Sequence, residues 1–467
     1  MESILIWPRE KQDTVNRQKK ITRAFVLCIR EKLICKKKKF HPKVRFFPQH
    51  LRIFNSAYRV TENCFTFAGH YISYMFTHLN KTGLNFTGFL ITVSFLLISC
   101  MQNPASKNAG NAVNDSLHVN AKDEMPVLDS LNDEMAAVIS GINPVRGCND
   151  LILEKKWITY QQHINEDWKL VEKHKTLPIA HWREKNLAMF NSDTSALFYP
   201  FAGADFLYSH AFFPDAANYV LIGLEPIGRL HCCDTMTKQN FLEYLEKIRS
   251  SLYYSNQLGF FRTKSMETDL NQQSLDGTLP LIIFFIRKTG HRLTGITYFN
   301  LDHEGRIVSC RQDTSTTGVR VAFVDSTMKQ HQVLYYLSYD LSDHNLKQHP
   351  ELLQFVKSFG SQAGFLKAAS YLMFTSDFRI IRNYMLDQES SILQDDSGIP
   401  FHFFKPSGWS VKLFGTYTQT IDLFKYKFQP DLQSAYEKQE TKHAVPFRIG
   451  YNVKFNETNL LFAKKRN

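Results

Sequence analysis

The stretch that decides the fold is Ala196-Leu197-Phe198-Tyr199-Pro200-Phe201-Ala202-Gly203-Ala204-Asp205, followed by Tyr219-Val220-Leu221-Ile222-Gly223-Leu224-Glu225. Ala196 to Tyr199 is a short apolar run closed by Pro200, which reads as a buried strand. Gly203-Ala204-Asp205 opens a short helix through Phe213, stopped by Pro214. Tyr219 to Leu224 is a second buried strand. A strand, a helix and a strand in so short a span make a βαβ unit, and such a unit sets its two strands parallel.

Working outward, Phe241, Tyr244, Leu245, Ile248 and Leu252 share one face of an amphipathic helix. The continuous apolar run Leu281 to Ile286 reads as a further buried strand. Thr294 to Leu301, Val319 to Val324 and Val333 to Tyr339 read as antiparallel strands joined by polar turns. Pro350 to Ser358 and Gly364 to Thr375 read as helices, and Ser376 as the cap of a third through Asp387. Trp409 to Tyr417, Ile421 to Phe424 and Phe447 to Tyr451 return to strand patterns. Ahead of all this, residues 127–141 and 150–174 read as helices, the second with Trp157, Tyr160, Ile164, Trp168 and Val171 on one face. The expected fold is α/β: a mixed sheet with a βαβ unit, a helical N-terminal lead-in over 124–190, and additional antiparallel strands within a main domain over 191–467.

The charge is unevenly placed. The chain of 467 residues has a formal net charge of +12, from 56 Lys+Arg and 44 Asp+Glu. Residues 1–100 hold 17 of the basic and 5 of the acidic groups, so 39 of each remain beyond them. The main domain is therefore neutral, which argues against a nucleic-acid partner. Residues 1–74 are a basic segment with no sustained period. They are either a cytoplasmic tail or lie upstream of a true start at Met75.

From Met75 the text reads as a signal peptide over 75–99: Lys81, then the apolar run Phe89 to Ile98, then Leu97-Ile98-Ser99-Cys100. The run is shorter than the ~20 residues that span a bilayer. Leu97-Ile98-Ser99-Cys100 resembles the lipobox of bacterial lipoproteins, which implies acylation of the Cys100 thiol and a membrane partner through that anchor. Each buried CH₂ contributes ~0.8 kcal/mol, so more than one acyl chain is needed for firm attachment. An uncleaved helix from about Leu84 to Met101 is the alternative, and the positive-inside rule then gives the same topology. In either case residues 102–467 face the periplasm or exterior. Residues 100–123 carry the lipidated cysteine and a flexible polar tether.

Chemistry-bearing residues are few. If the two leading strands are parallel, Asp205 and Glu225 share the edge at which open α/β sheets bind ligands, with His210 five residues into the helix. Asp205, His210 and Glu225 are the candidate catalytic set. The arrangement resembles Rossmann-type methyltransferases, whose first strand ends in a glycine-rich turn and whose second ends in an acid that holds a ribose. Gly203 stands here where that family has several glycines, so no cofactor is expected. Asp395 and Asp396, in Gln394-Asp395-Asp396-Ser397-Gly398, form a carboxylate pair suited to acid/base work or Ca²⁺, or equally to a turn. His231-Cys232-Cys233-Asp234 lacks the spacing of a zinc site, so no metal is expected. In an oxidising compartment Cys148, Cys232, Cys233 and Cys310 are candidate disulfide cysteines, with three complete pairings open.

The blocks Tyr199 to Tyr208, Phe212 to Ala216, Tyr219 to Gly228, Leu393 to Phe401 and Trp409 to Tyr417 resemble a family of exported bacterial proteins over about residues 190–455. That resemblance implies an exported address and no particular activity. The expectation is an exported lipoprotein tethered to the cell envelope, with a binding or assembly role. The rival is an envelope enzyme with a Rossmann-like site at the strand ends, and whether the chain is an enzyme stays open at this point.

Overall fold

The structure, a computed structural model, describes residues 127–466 apart from 146–147, 188–195, 259–276, 314, 405–407, 442 and 452–457. The expected signal peptide over 75–99, Cys100 and the expected tether lie outside the described residues. Among the described residues no helix is long and apolar enough to cross a membrane.

The fold is α/β. One mixed sheet of ten strands runs in the order β4-β3-β5-β6-β2-β1-β7-β8-β10-β9. Its strands are β1 (Ala196–Tyr199), β2 (Asn218–Gly223), β3 (Arg292–Leu301), β4 (Ile307–Ser309), β5 (Gly318–Val324), β6 (His331–Ser338), β7 (Gln362–Leu366), β8 (Glu389–Gln394), β9 (Trp409–Gly415) and β10 (Asn459–Lys465). β6, β2, β1, β7 and β8 are mutually parallel, while β3, β4 and β5 on one side and β10 on the other join antiparallel. Taken in chain order, the parallel core reads 3-2-1-4-5, the doubly wound order, with its reversal between β1 and β7.

Helices cover both faces. The first face carries α1 (Ser130–Ile139), α3 (Lys155–Val171), α4 (Leu177–Asn186), α5 (Phe206–Phe212), α6 (Lys238–Leu258) and α7 (Leu279–Lys288), with the one-turn α2 (Asn149–Ile152) before α3. The second carries α8 (Asp343–Gln348), α9 (Glu351–Lys357), α10 (Arg379–Gln388) and α11 (Pro430–Glu437). Strand alternation divides the core accordingly. Leu197 and Tyr199 of β1 face the first helical layer, and Phe198 faces the second.

The lead-in is part of this core. Trp182 of α4 meets Phe212, Phe414 and Phe447 edge-on, at 6.0, 4.8 and 5.7 Å between ring centroids. Asp129, the N-cap of α1, donates its backbone N–H to the Leu293 carbonyl. Asp133, one turn further on, accepts from the Leu293 N–H at 2.9 Å and from the Arg292 guanidinium at 2.9 and 2.7 Å. One buried carboxylate thereby docks α1 on the start of β3.

Five local expectations are corrected. Leu281 to Ile286 lies in helix α7, not a strand. The helix packs against α1, α5, α6 and β3, so every residue from Leu279 to Ile286 is buried and no period shows. Pro280 in its first turn is the helical cue. Gly364 to Thr375 is not a helix: it contains the end of β7, then a loop and a 3₁₀ turn, Leu372–Phe374. β7 is buried on both faces, and a Cβ on Gly364 would stand 2.7 Å from Met385 Cε, so the strand lacks the usual β-branched signature for a packing reason. Ser376 starts a separate 3₁₀ turn and does not cap α10. Ile421 to Phe424 belongs to a 3₁₀ segment, Asp422–Lys427, and Phe447 to Tyr451 is loop; the last strand is β10.

Asp133→Ala leaves the Leu293 N–H and Arg292 without their carboxylate. Urea denaturation is expected to show a loss of about 2–4 kcal/mol. Arg292→Ala is expected to lose less, because the Arg292 side chain is 42% exposed.

Candidate functional site

The winding reversal sets the loops after β1 and β7 side by side, and both carry charge. β1 ends at Tyr199 and its loop is tied to β2, with the Ala202 N–H donating to the Ile222 carbonyl at 2.7 Å. Phe201 and Gly203 take positive φ there, and the turn delivers Asp205 to the N-cap of α5. Asp205 Oδ1 accepts from the Tyr208 N–H at 3.2 Å, and Oδ2 from the Tyr199 hydroxyl at 3.2 Å. Lys367, the first residue past β7, crosses the reversal, and its Nζ meets Asp205 Oδ2 at 2.6 Å. Both side chains are only 2% exposed.

The pair lies against Tyr208. Lys367 Nζ stands 3.9 Å from the ring centroid, and Lys175 Nζ donates to the Tyr208 hydroxyl at 3.1 Å from below. Lys175 comes from a π-helical turn, Glu172–Thr176, between α3 and α4, and such bulges re-aim side chains within a helix. Burial, and then the Lys367 ammonium, lower the Lys175 ammonium to about 7. Burial, then Asp205, pushes the Tyr199 and Tyr208 phenols up, so both stay protonated donors.

Glu225, two residues past β2, is buried beside this cluster. Its carboxylate lies 3.5 Å from where a Cβ on Gly203 would sit and 2.6 Å from that of Gly223. Gly223 has no side chain because this acid and the Tyr336 hydroxyl occupy the space one would need, whereas Gly203 answers to its positive φ. Tyr336 donates to the Glu225 carbonyl at 2.8 Å.

Asp395 and Asp396 follow β8 on the same edge and are likewise buried, 1% and 5% exposed. Asp395 accepts from the Ala368 N–H at 2.8 Å and from the Ser397 N–H and hydroxyl. Asp396 accepts from the Tyr371 hydroxyl and from Asn459 Nδ2 at 3.0 Å. Burial, then the neighbouring Asp395, raises the Asp396 carboxyl to about 7; burial also raises Asp395, against the pull of its hydrogen bonds and of Lys367. These contacts hold a strained loop. Ala368, Ser370 and Tyr371 all have positive φ without being glycine, which costs of order 1–3 kcal/mol each. Ser397 and Tyr451 secure the intervening residues: the Ala369 N–H donates to Ser397 Oγ and the Ser370 N–H to the Tyr451 hydroxyl. The pair is thus a buried clamp and not a solvated turn.

Asp205 and Glu225 are therefore brought to one edge, as the sequence implies, and Asp395 and Asp396 join them. His210 does not. Its ring packs on His291 at 4.8 Å and Phe206 at 5.4 Å between centroids, and burial, then His291, lowers it to about 3. It sits in the first helical layer as a neutral core residue. Lys367, Lys175, Tyr371 and Tyr451 were not visible as site residues. A lysine directly after a buried strand is the signal for Lys367, hidden while that strand is read as helix.

A nucleotide group of the kind the methyltransferase resemblance implies does not fit these residues. Such a group lies across the reversal on open backbone, and here Lys367 and Asp205 close that span. Cys148 and Cys233 form a disulfide, leaving Cys232 and Cys310 as thiols, which resolves the three open pairings into one bridge. Cys232, Cys233 and Asp234 cluster, but a disulfide sulfur is no thiolate ligand. Neither known protein families nor curated proteins match this chain.

Two measurements follow from the buried charges. Lys367→Met is expected to cost about 3–5 kcal/mol in denaturant melts, and adding Asp205→Asn to recover a large part of it, since the second change removes the stranded carboxylate and Asn still caps the helix. Lys175 binds its proton less tightly when folded, so stability rises with pH from about 7 to the ordinary lysine range near 10.5. Lys175→Met is expected to abolish that rise while leaving the profile below pH 7 in place, read as Tm against pH.

Proposed function

We propose that the chain is an envelope-tethered lipoprotein whose domain works as a binding or assembly module, with the strand-end crevice of its doubly wound sheet closed by its own side chains. The Lys367–Asp205 ion pair carries this reading. It spans the reversal where such sheets take ligands, it is buried, and both oxygens of its carboxylate are hydrogen-bonded as well. A group that displaced it would have to separate two buried charges, a cost of several kcal/mol for each ion left unpaired. The Cys148–Cys233 bridge supports an address outside the reducing cytosol. The lipobox-like Leu97-Ile98-Ser99-Cys100 supports a lipid anchor.

The rival reading, an envelope enzyme, draws on Glu225. It stands after β2, where an acid would hold a ribose, and it abuts Gly203. Its difficulty is that Asp205 is consumed by Lys367 and that His210 lies elsewhere.

One experiment separates the two. The full chain is expressed in a bacterial host, its mature N-terminus is weighed by mass spectrometry, and its Tm is followed with millimolar S-adenosylmethionine, NAD or ATP. The expected result is a diacylglyceryl adduct on Cys100 and no shift with any of the three. An unmodified N-terminus at Met1 removes the anchor. A stabilisation by one ligand that disappears in Glu225→Gln replaces the module with the enzyme.

A further inference from the structure

We infer that Cys148, Cys232 and Cys233 form a thiol–disulfide exchange site, in which Cys148 passes between two adjacent cysteine partners. The observation is a third sulfur beside a bridge. Cys148 and Cys233 are bonded, with Cα atoms 5.9 Å apart, and Cys232 carries a free thiol immediately before Cys233. The sulfurs of Cys232 and Cys233 and a carboxylate oxygen of Asp234 lie within 4.8 Å of one another. All four residues line one cavity of about 170 Å³, with Leu131 and Met135 of α1 on its wall. Cys232 and Cys233 are therefore half-exposed beside open space, with the buried Cys148 at its wall.

The chemistry needs no outside oxidant. The Cys232 thiol, whose Sγ lies 3.9 Å from Asp234 Oδ2, gives up its proton to solvent. The Cys232 thiolate attacks Cys148 Sγ. The Cys148–Cys233 bond breaks, its electron pair goes to Cys233 Sγ, and Cys233 takes up a proton. One disulfide is lost, one is gained, and the count of thiols is unchanged. Adjacent Cα atoms are about 3.8 Å apart, so the exchange draws the loop before α6 along by one residue relative to α1. Cys148 itself sits at positive φ, immediately ahead of α2. The site thus offers a thiol to a partner cysteine from either of two neighbouring positions.

The test is alkylation of the native, unreduced full chain with iodoacetamide at mildly alkaline pH, then digestion and fragmentation spectra that tell Cys232 from Cys233. Exchange predicts label on both, with the Cys233 share no less than about a tenth of the Cys232 share, the span that ~1.4 kcal/mol between the two bridged forms allows. It also predicts peptides that join Cys148 to each. Cys233→Ser is expected to form the Cys148–Cys232 bridge and keep its Tm within a few degrees. Label on Cys232 alone, with Cys148 joined only to Cys233 in the wild-type chain, overturns the inference, and that readout stands whether or not the variant folds.

Discussion

A single ammonium holds the parallel half of this molecule together. Lys367 leaves β7 at the place where the winding reverses and lands on Asp205, which caps the helix that follows β1. The pair ties together the loops after two adjacent parallel strands, β1 and β7, whose connections diverge to opposite faces. An ion pair without water is a poor source of net stability, because each charge must first be stripped of its hydration. Its value here is geometric. Once Lys367 is buried it needs a carboxylate, so Asp205 must stay at the N-cap, α5 must start where it does, and the β1 loop must take the positive φ of Phe201 and Gly203.

The other polar groups at this edge follow from that constraint. With Lys367 turned toward β1, the loop behind it is forced through three unfavourable backbone conformations at Ala368, Ser370 and Tyr371. Such strain persists only when the surroundings over-determine it. Asp395, Ser397 and Tyr451 do so by taking the loop's N–H groups directly, and Gly450 has no side chain because Asp395 Oδ2 occupies the position of its Cβ. The Asp395 carboxylate is thus engaged by the Ala368 and Ser397 N–H groups, and that of Asp396 by the Tyr371 hydroxyl and the Asn459 side chain. Perturbed acids cluster at functional sites, but structural networks perturb them too. Here the hydrogen bonds identify which of the two this is.

How much of this was legible in the sequence depends on how many faces an element exposes. β1, α5, β2 and α6 were readable because turn residues bracket them or one side meets polar surroundings: Pro200 and Pro214 punctuate the first unit, and the amphipathic face of α6 shows its period. α7 and β7 were not. Each is buried on all sides, so Leu281 to Ile286 and Gln362 to Leu366 carry no alternation to read, and composition pointed the wrong way in both cases. The site shared this fate. Asp205 and Glu225 follow legible strands and were found, whereas Lys367 follows an illegible one. The carboxylates of Asp395 and Asp396 were found as a motif, but their burial depends on Asn459 and Gly450, more than fifty residues away in the chain, and no local pattern encodes that.

The sulfur cluster differs from the charge cluster in a way that bears on what this molecule does. Around Lys367 the charged and hydroxyl groups are buried and bonded to one another, so change there must break several bonds together. Around Cys148 one covalent bond joins the lead-in to the loop before α6, an equivalent thiol stands beside it, and open space separates the groups from α1. Rigid and adaptable regions are drawn from opposite ends of the local-stability range. The charge cluster and the bridge lie on different connections of β2: the loop before it carries Gly203 and Asp205, and the segment after it carries Cys232 and Cys233. Exchange at the second acts on the connection after β2, whereas the Lys367–Asp205 pair joins the loops after β1 and β7.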